Sequence, residues 1–473
     1  MSMRKTKIIC TIGPASEQEN VLREMCLAGM NVARLNFSHG THEEHQEKID
    51  TLKNVRDDLN LPIAIMLDTK GPEYRIGMFE DHKIYLNDGD PFAFTSDDCV
   101  GTNERVSVSY KNLANEVNVG DTILVNNGLL SFKVTGISGN TVNCEVIVGG
   151  EMSDRKSMNF PNHVLQSEYL SEQDKEDLLF GIKNGVDFIA ASFVSTKDDV
   201  ASLRQFLNDN GGNDIDIIAK IENRSGVDHI DEICEIADGV MVARGDLGVE
   251  IPFVEVPSIQ KFLIKKCRLL GKRVITATEM LESMIEKPRP TRAEISDVAN
   301  AVYDGSSAIM LSGETASGKY PVASVRNMAE IAESTEKAID YKKRFASTEY
   351  DIKNNIDAVS HATCAMAIDT KAKGIVISSL SGMTVRMVSR FRPPVDIIGM
   401  TTSLKAWRKL NLSWGVTPVL SEEFNSVDVM FYHAMQKAKQ VFGLSKGDNV
   451  ILTGGQTNGK SGNTNTIRLE TVS

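Results

Sequence analysis

The sequence predicts a (β/α)8 barrel, interrupted by an inserted all-β lid domain and followed by a doubly wound α/β domain. Three observations carry this. Eight short apolar segments alternate with amphipathic ones, and nearly every one of them ends in polar or charged residues. Between residues 70 and 167 the rhythm changes to period two, punctuated by Asn-Gly, Asp-Gly and Gly-Asn turns. Beyond about residue 345 a fresh strand–helix alternation begins.

The barrel strands are expected at 5–13, 32–40, 63–69, 186–193, 215–223, 239–246, 273–280 and 308–314, so residues 1–69 and 168–344 form one domain. Between them lie segments of helical period, such as EEHQEKIDTLKNVRDDL and FVEVPSIQKFLIKKCRLLGK. The polar residues gather where each strand ends: Asn36, Ser38 and His39; Asp68 and Thr69; Ser192; Lys220 and Glu222; Arg244 and Asp246; Thr278; Ser312 and Glu314. In a barrel that rim is where active sites are built. The insertion (70–167) follows the third strand and is placed to act as a lid over it. The last unit (345–473) has five strands, among them GIVISS, DIIGMT and NVILTGG.

Composition narrows the function classes. In 473 residues, 52 Lys plus Arg face 64 Asp plus Glu, a net charge of −12 that argues against nucleic acid or an anionic membrane as partner. Seven scattered cysteines without a CxxC pair predict a reduced, cytoplasmic protein. No run of about 18 apolar residues predicts a membrane span.

Chemistry enters with IAKIEN (218–223) and MVARGD (241–246), two apolar runs that end abruptly in charge. Lys220 beside Glu222, with Asp246 on the next strand, supplies an ammonium for phosphate oxygens and hard carboxylates for Mg²⁺. The alternative is a pair of structural salt bridges at strand ends.

These strings, together with MNVARLNFSHG, MLDTKGPE and KPRPTRAEISDVANAVYDGSSAIMLSGETASGKYP in this order, closely resemble pyruvate kinase over the whole chain. The resemblance implies a Mg²⁺- and K⁺-dependent phosphotransferase that converts phosphoenolpyruvate and ADP to pyruvate and ATP, and a homotetramer. It gives Lys220, Thr278 and Arg34 catalytic roles, and Ala243, Arg244, Gly245 and Asp246 a place at the substrate. Backbone amides of that stretch would hold the substrate carboxylate. Glu222 and Asp246 are the implied Mg²⁺ ligands; Asn36, Ser38, Asp68 and Thr69 form the implied K⁺ site. Asn36, His39, Arg75 and Lys156 fall on the nucleotide side, with His39 bracing its loop. Ser312 and Glu314 read either as a proton relay or as a strand-end cap. The arginines of PRPTRAE (288–294) would tie barrel loops or a subunit interface.

The chain departs from the family pattern in places. KSMNFPN (156–162) lacks two usual glycines, Asn126-Asn127-Gly128 stands for Asp-Asp-Gly, and Glu279, expected to face away from substrate, replaces a glutamine. Glu73 is expected to place a negative charge near the K⁺ site, where relatives that need no K⁺ carry lysine. An effector site is implied at Ser379, Ser381, Gly382 and Thr384, with Lys460 and Gly462 on a second loop. Leu380 and Met383 fill the places where a basic residue would neutralise a second phosphate, so a sugar monophosphate or nucleoside monophosphate is expected in preference to a bisphosphate. Two other readings remain at this stage: a Mg²⁺-dependent barrel enzyme acting on an enolate or 2-oxoacid, and a catalytically silent metabolite sensor.

Overall fold

The computed structural model describes residues 4–161, 168–455, 462 and 464–473. Eight parallel strands close into a barrel: β1 (Lys7–Thr11), β2 (Val32–Asn36), β3 (Ala64–Asp68), β4 (Phe188–Ala191), β5 (Asp216–Ile221), β6 (Gly239–Ala243), β7 (Arg273–Ala277) and β8 (Ala308–Leu311). Each pairs with its chain neighbour, and β1 pairs with β8 to complete the ring.

Side-chain parity along these strands divides the core into two layers. Ala64 and Met66 join Val32, Ile218 and Met241 inside the barrel, and Ile65, Leu67, Ile217 and Ala219 face the surrounding helices. Leu412, from the C-terminal unit, belongs to the inner cluster. The same parity decides what lies at the rim. Asp68 continues the inward set of Ala64 and Met66, Arg34 and Asn36 continue Val32, and Lys220 and Glu222 continue Ile218.

Helix starts follow the expected chemistry. Thr41 with Glu44, Ser171 with Asp174, and Thr291 with Glu294 each form a capping box. Glu294 also accepts from the Ser283 amide (2.7 Å) and hydroxyl (2.6 Å). In PRPTRAE the loop-tying group is therefore this carboxylate; Arg289 and Arg292 are exposed.

The chain leaves the barrel after β3 along Tyr74–Arg75 and returns along Ser157–Asn159, two segments paired antiparallel. These two segments and five strands between them make a seven-stranded sheet, which with a two-stranded one closes over Phe92, Phe94 and Phe132; the single-turn helix Leu113–Glu116 is the non-β element. The C-terminal sheet contains β9 (Gly374–Ser378), β10 (Asp396–Thr401), β11 (Val416–Leu420), β12 (Asn449–Gly455) and β13 (Thr464–Thr471), ordered β11-β10-β9-β12-β13. All pair in parallel except β12 with β13. Among the described residues no helix is long and apolar enough to cross a membrane.

Candidate active site

Lys220 is the hub of the rim. Its Nζ lies 3.1 Å from Asp68 Oδ1, 2.7 Å from Ser192 Oγ and 3.0 Å from Glu222 Oε1. Arg34 Nε donates to the other Asp68 oxygen at 2.6 Å and its Nη1 to Thr11 Oγ1 at 3.0 Å. Burial works against the lysine charge, but the Asp68 and Glu222 carboxylates outweigh it and hold the ammonium above its ordinary value. Burial would raise Asp68 too; Arg34 and Lys220 override it and lower this carboxyl.

Glu222 is completely buried, and burial pushes it up to about 7, with Lys220 opposing and Asp246 adding repulsion. One oxygen accepts from the Phe193 amide at 2.6 Å. The other, beside Lys220, lacks hydrogen-bond geometry to any described residue. Asp246 stands half-buried in the first turn of the helix Arg244–Glu250 and has no side-chain partner among the described residues. An orphaned buried carboxylate oxygen and a free carboxylate next to it fit a divalent cation that draws its remaining ligands from substrate and water. Among the described residues no group of three or more acidic, His or Cys side chains is placed to hold a metal ion by itself.

The substrate-side loop is pinned tightly. The Gly245 amide donates to Thr278 Oγ1 (2.8 Å), and that hydroxyl donates to the Ala277 carbonyl (2.6 Å). The Gly245 N–H, assigned to a substrate carboxylate, is thus already occupied by Thr278. Thr278 and Glu279 both adopt left-handed backbone (φ 68° and 52°), a strained arrangement for residues with a Cβ. The Glu279 side chain is exposed. Arg244 turns away from the rim: its guanidinium grips Asp297 (2.7 and 2.9 Å) and the Thr278 carbonyl (2.6 Å). Ala243 closes β6 and is buried.

The remaining sequence-predicted residues divide. Asn36 Oδ1 accepts from the Ser38 amide (3.2 Å), and Thr69 Oγ1 from the Ser192 amide (3.2 Å), so Asn36, Ser38, Asp68 and Thr69 share one edge of the rim. His39 braces its loop through its carbonyl, which meets His45 Nε2 at 2.9 Å, rather than through its exposed ring. Glu73 departs from expectation, because it is neutralised by Arg75 at 2.7 Å. Arg75 also donates to the Arg155 carbonyl at 2.7 Å. Lys156 is half-buried with no side-chain partner among the described residues. Asn126 and Asn127 both take left-handed backbone, which Asn tolerates, so the unusual turn forms without strain. Glu314 accepts from the Leu281 and Ser312 amides (2.9 and 2.7 Å), which favours the cap over the relay.

In the C-terminal unit, Ser379 and Ser381 precede Gly382, whose left-handed φ of 76° starts the helix Met383–Arg390. Thr384, expected to face a ligand, is instead buried, its hydroxyl paired with Thr464 Oγ1 at 2.6 Å. Gly462 is exposed, and Lys460 lies outside the described residues.

Sequence reasoning left Ser192 without a role and missed Asp297, Glu250 and Asn159. The last two are joined at 2.8 Å and line a cleft, open to solvent, between the insertion and the rim. Ser192 could have been found from its place at a strand end; Asp297 gives no local signal.

Comparison with known proteins gives the family. Residues 3–325 match the family model described as the barrel domain of pyruvate kinase, and 357–470 that of its alpha/beta domain. The chain is 47% identical over 472 residues to a pyruvate kinase of Clostridium acetobutylicum, covering 99% of this chain and 100% of that one. It is 46% identical over 473 residues to a pyruvate kinase of Staphylococcus epidermidis, covering 99% of this chain and 81% of the relative. A crystal structure of a pyruvate kinase from Cryptosporidium parvum superposes with a TM-score of 0.94 at 38% identity, over 99% of this chain and 96% of the other. With two family models in order along one chain and near-half identity to a relative along its full length, the chain belongs to the pyruvate kinase family.

Proposed function

We propose that the protein transfers the phosphoryl group of phosphoenolpyruvate to ADP, in the cytoplasm and as a homotetramer. The observation that carries this is the buried Lys220 ammonium, fixed between Asp68, Glu222 and Ser192 beside the free carboxylate of Asp246. In the reaction the bond from phosphorus to the enol oxygen breaks, a bond to the terminal oxygen of ADP forms, and the enolate takes a proton at its methylene carbon. Negative charge spreads over the equatorial phosphoryl oxygens in flight, so Lys220 and Arg34, already oriented by Asp68, stabilise it without reorganising. Thr278 holds the floor beneath the enolate and, through Gly245, sets the loop from Ala243 to Asp246. Arg244 stiffens that loop from behind.

Glu222 and Asp246 would hold Mg²⁺, and Asn36, Ser38, Asp68 and Thr69 a K⁺ ion. When bound, these cations neutralise phosphoryl and carboxylate oxygens. Arg75 and Lys156 approach the ADP phosphates from the insertion, with Asn36 and His39 on the barrel side. In the C-terminal unit, Ser379, Ser381 and Gly382 would take one phosphate of a sugar or nucleoside monophosphate, with Lys460 and Gly462 beside it. Thr384 supports that loop from within. A coupled assay for pyruvate from phosphoenolpyruvate and ADP with Mg²⁺ and K⁺ tests the central reading. Turnover is expected, and its absence at saturating substrate would overturn the assignment.

A further inference from the structure

Two segments join the insertion to the barrel, and each is fixed at its base by a carboxylate from a barrel helix. On the way out, the Gly71 amide donates to Asp174 Oδ1 at 3.1 Å. Gly71 itself (φ 69°) packs so closely that a Cβ would come within 2.9 Å of the Ser192 Cβ. That base is set by backbone and close approach, which glycine alone permits. On the way back, Asn159 Nδ2 donates to Glu250 Oε1 at 2.8 Å, and the Phe160 amide donates to the same carboxylate. Asn159 and Phe160 are buried and Glu250 is half-buried, so water competes poorly for these bonds.

Glu250 ends the helix Arg244–Glu250, whose first turn carries Asp246. Val249, just before it, meets the insertion a second time: a Cβ on Gly128 would stand 3.5 Å from Val249 Cγ1. The turn that holds Gly128 is tied to the return segment, because the Asn126 amide donates to the Ser157 carbonyl (3.0 Å) and Ser157 Oγ to Asn127 Oδ1 (3.1 Å). The exit segment is tied to it as well. There the Ile76 amide donates to the Lys156 carbonyl (3.0 Å) and Arg75 Nη1 to the Arg155 carbonyl (2.7 Å). Turn, exit and return thus form one hydrogen-bonded unit, seated on the end of the helix that presents Asp246. Lys156 lies on the same strand as Asn159, about 10 Å away at the rise of an extended chain.

We infer that Glu250 is a positioning residue for the nucleotide: by holding Asn159 and Phe160 it fixes where the insertion carries Arg75 and Lys156 relative to Asp246. The inference rests on the proposed reading that those two cations meet the ADP phosphates. Glu250 acts through Asn159 and not on a reacting atom, so its loss shows first in nucleotide binding.

The pair can be inverted at constant shape and net charge. Asn159→Asp sets two carboxylates against each other. Adding Glu250→Gln restores the match: the introduced amide donates to the introduced carboxylate, and its carbonyl accepts from the Phe160 amide. The single variant is expected to raise KM for ADP about tenfold, the loss of one hydrogen bond to a charged group, with KM for phosphoenolpyruvate within about twofold of wild type. The double variant is expected to recover most of that loss. Amide hydrogen exchange supplies a readout independent of turnover: residues 74–76 and 157–160 should exchange faster in the single variant and return toward wild type in the double, with the barrel strands unchanged. Should Asn159→Asp fail to fold, Asn159→Ala removes the donor without adding charge and is read by the same two measurements. An unchanged KM for ADP, no recovery in the double variant, or faster exchange throughout the barrel overturns the inference. If the wild-type protein shows no turnover with phosphoenolpyruvate and ADP, it is the proposed function that fails, and the exchange comparison alone decides whether Glu250 seats the insertion.

Discussion

Replacing Lys220 by Met should affect chemistry and folding by separable amounts. In the transition state charge is redistributed over the phosphoryl and enol oxygens in flight, and the ammonium is placed to interact with it more strongly than in the ground state. Removing one such preorganised donor from a dry site costs about 3–4 kcal/mol, or about 100- to 1000-fold in kcat. Phosphoenolpyruvate binding should weaken far less, because Arg34 and the loop from Ala243 to Asp246 remain. The fold also loses something. Lys220 is the cation shared by Asp68, 1% exposed, and Glu222, fully buried. Deleting one member of a buried pair typically costs about 3–5 kcal/mol. Here Arg34 still neutralises Asp68, and Glu222 can take up a proton, so a loss at or below the lower end of that range is expected. Initial rates in the coupled assay, read beside denaturant melts of both proteins, separate the two effects. A mutant that is folded and keeps more than about a tenth of wild-type turnover, a loss under about 1.4 kcal/mol, would refute the role given to Lys220.

Three further outcomes are expected. In buffer free of K⁺ and Na⁺ but containing Mg²⁺, activity should fall at least about tenfold and return on adding K⁺; full activity without K⁺ would remove the cation from Asn36, Ser38, Asp68 and Thr69. Burial opposes the charge of Asp216, but Arg273, Arg386 and Lys409 hold its carboxyl well below the ordinary range. Its stabilising contribution is therefore complete above the unfolded value of about 4 and lost as pH falls below it; Asp216→Asn should lower the melting temperature at pH 7 and flatten the acid limb, and an unchanged limb would count against the pairing. Burial, with Arg4 adding repulsion, lowers Lys7 to about 7. The unfolded chain then binds more protons between about pH 7 and pH 10, so stability should climb across that window and Lys7→Met should remove the climb; an identical slope in the variant would show that Lys7 is not its source.

The parts of the site that sequence reveals are those set by strand parity. Arg34, Asp68, Lys220 and Glu222 continue inward-facing apolar positions, so a strand ending in such residues delivers them to one rim whatever the helices do. Contacts between distant elements are not legible in this way. Nothing near Arg244 announces Asp297, because their meeting depends on how a helix packs against the next strand. Glu73 reads as an added negative charge near a monovalent cation because sequence shows its charge but not the Arg75 side chain that pairs with it. Thr384 reads as a ligand-facing hydroxyl at a helix start; a strand returning 80 residues later covers it with Thr464. The fold class is easier to read, since it follows from changes of period over dozens of residues.

The grip of Arg244 on Asp297 has a mechanical consequence. Asp297 lies midway along the helix Arg292–Asp304, whose outer face exposes Ile295 and Tyr303. One end of the guanidinium is anchored on that helix and the other on the carbonyl of Thr278, whose hydroxyl sets the Gly245 amide. The arrangement is a short lever with its handle on the molecular surface. A push on the helix, by a neighbouring subunit or by a substitution on its outer face, is transmitted to the floor of the reaction centre through a single rigid side chain. Surface changes at Ile295 or Tyr303 should consequently register in turnover before they register in stability.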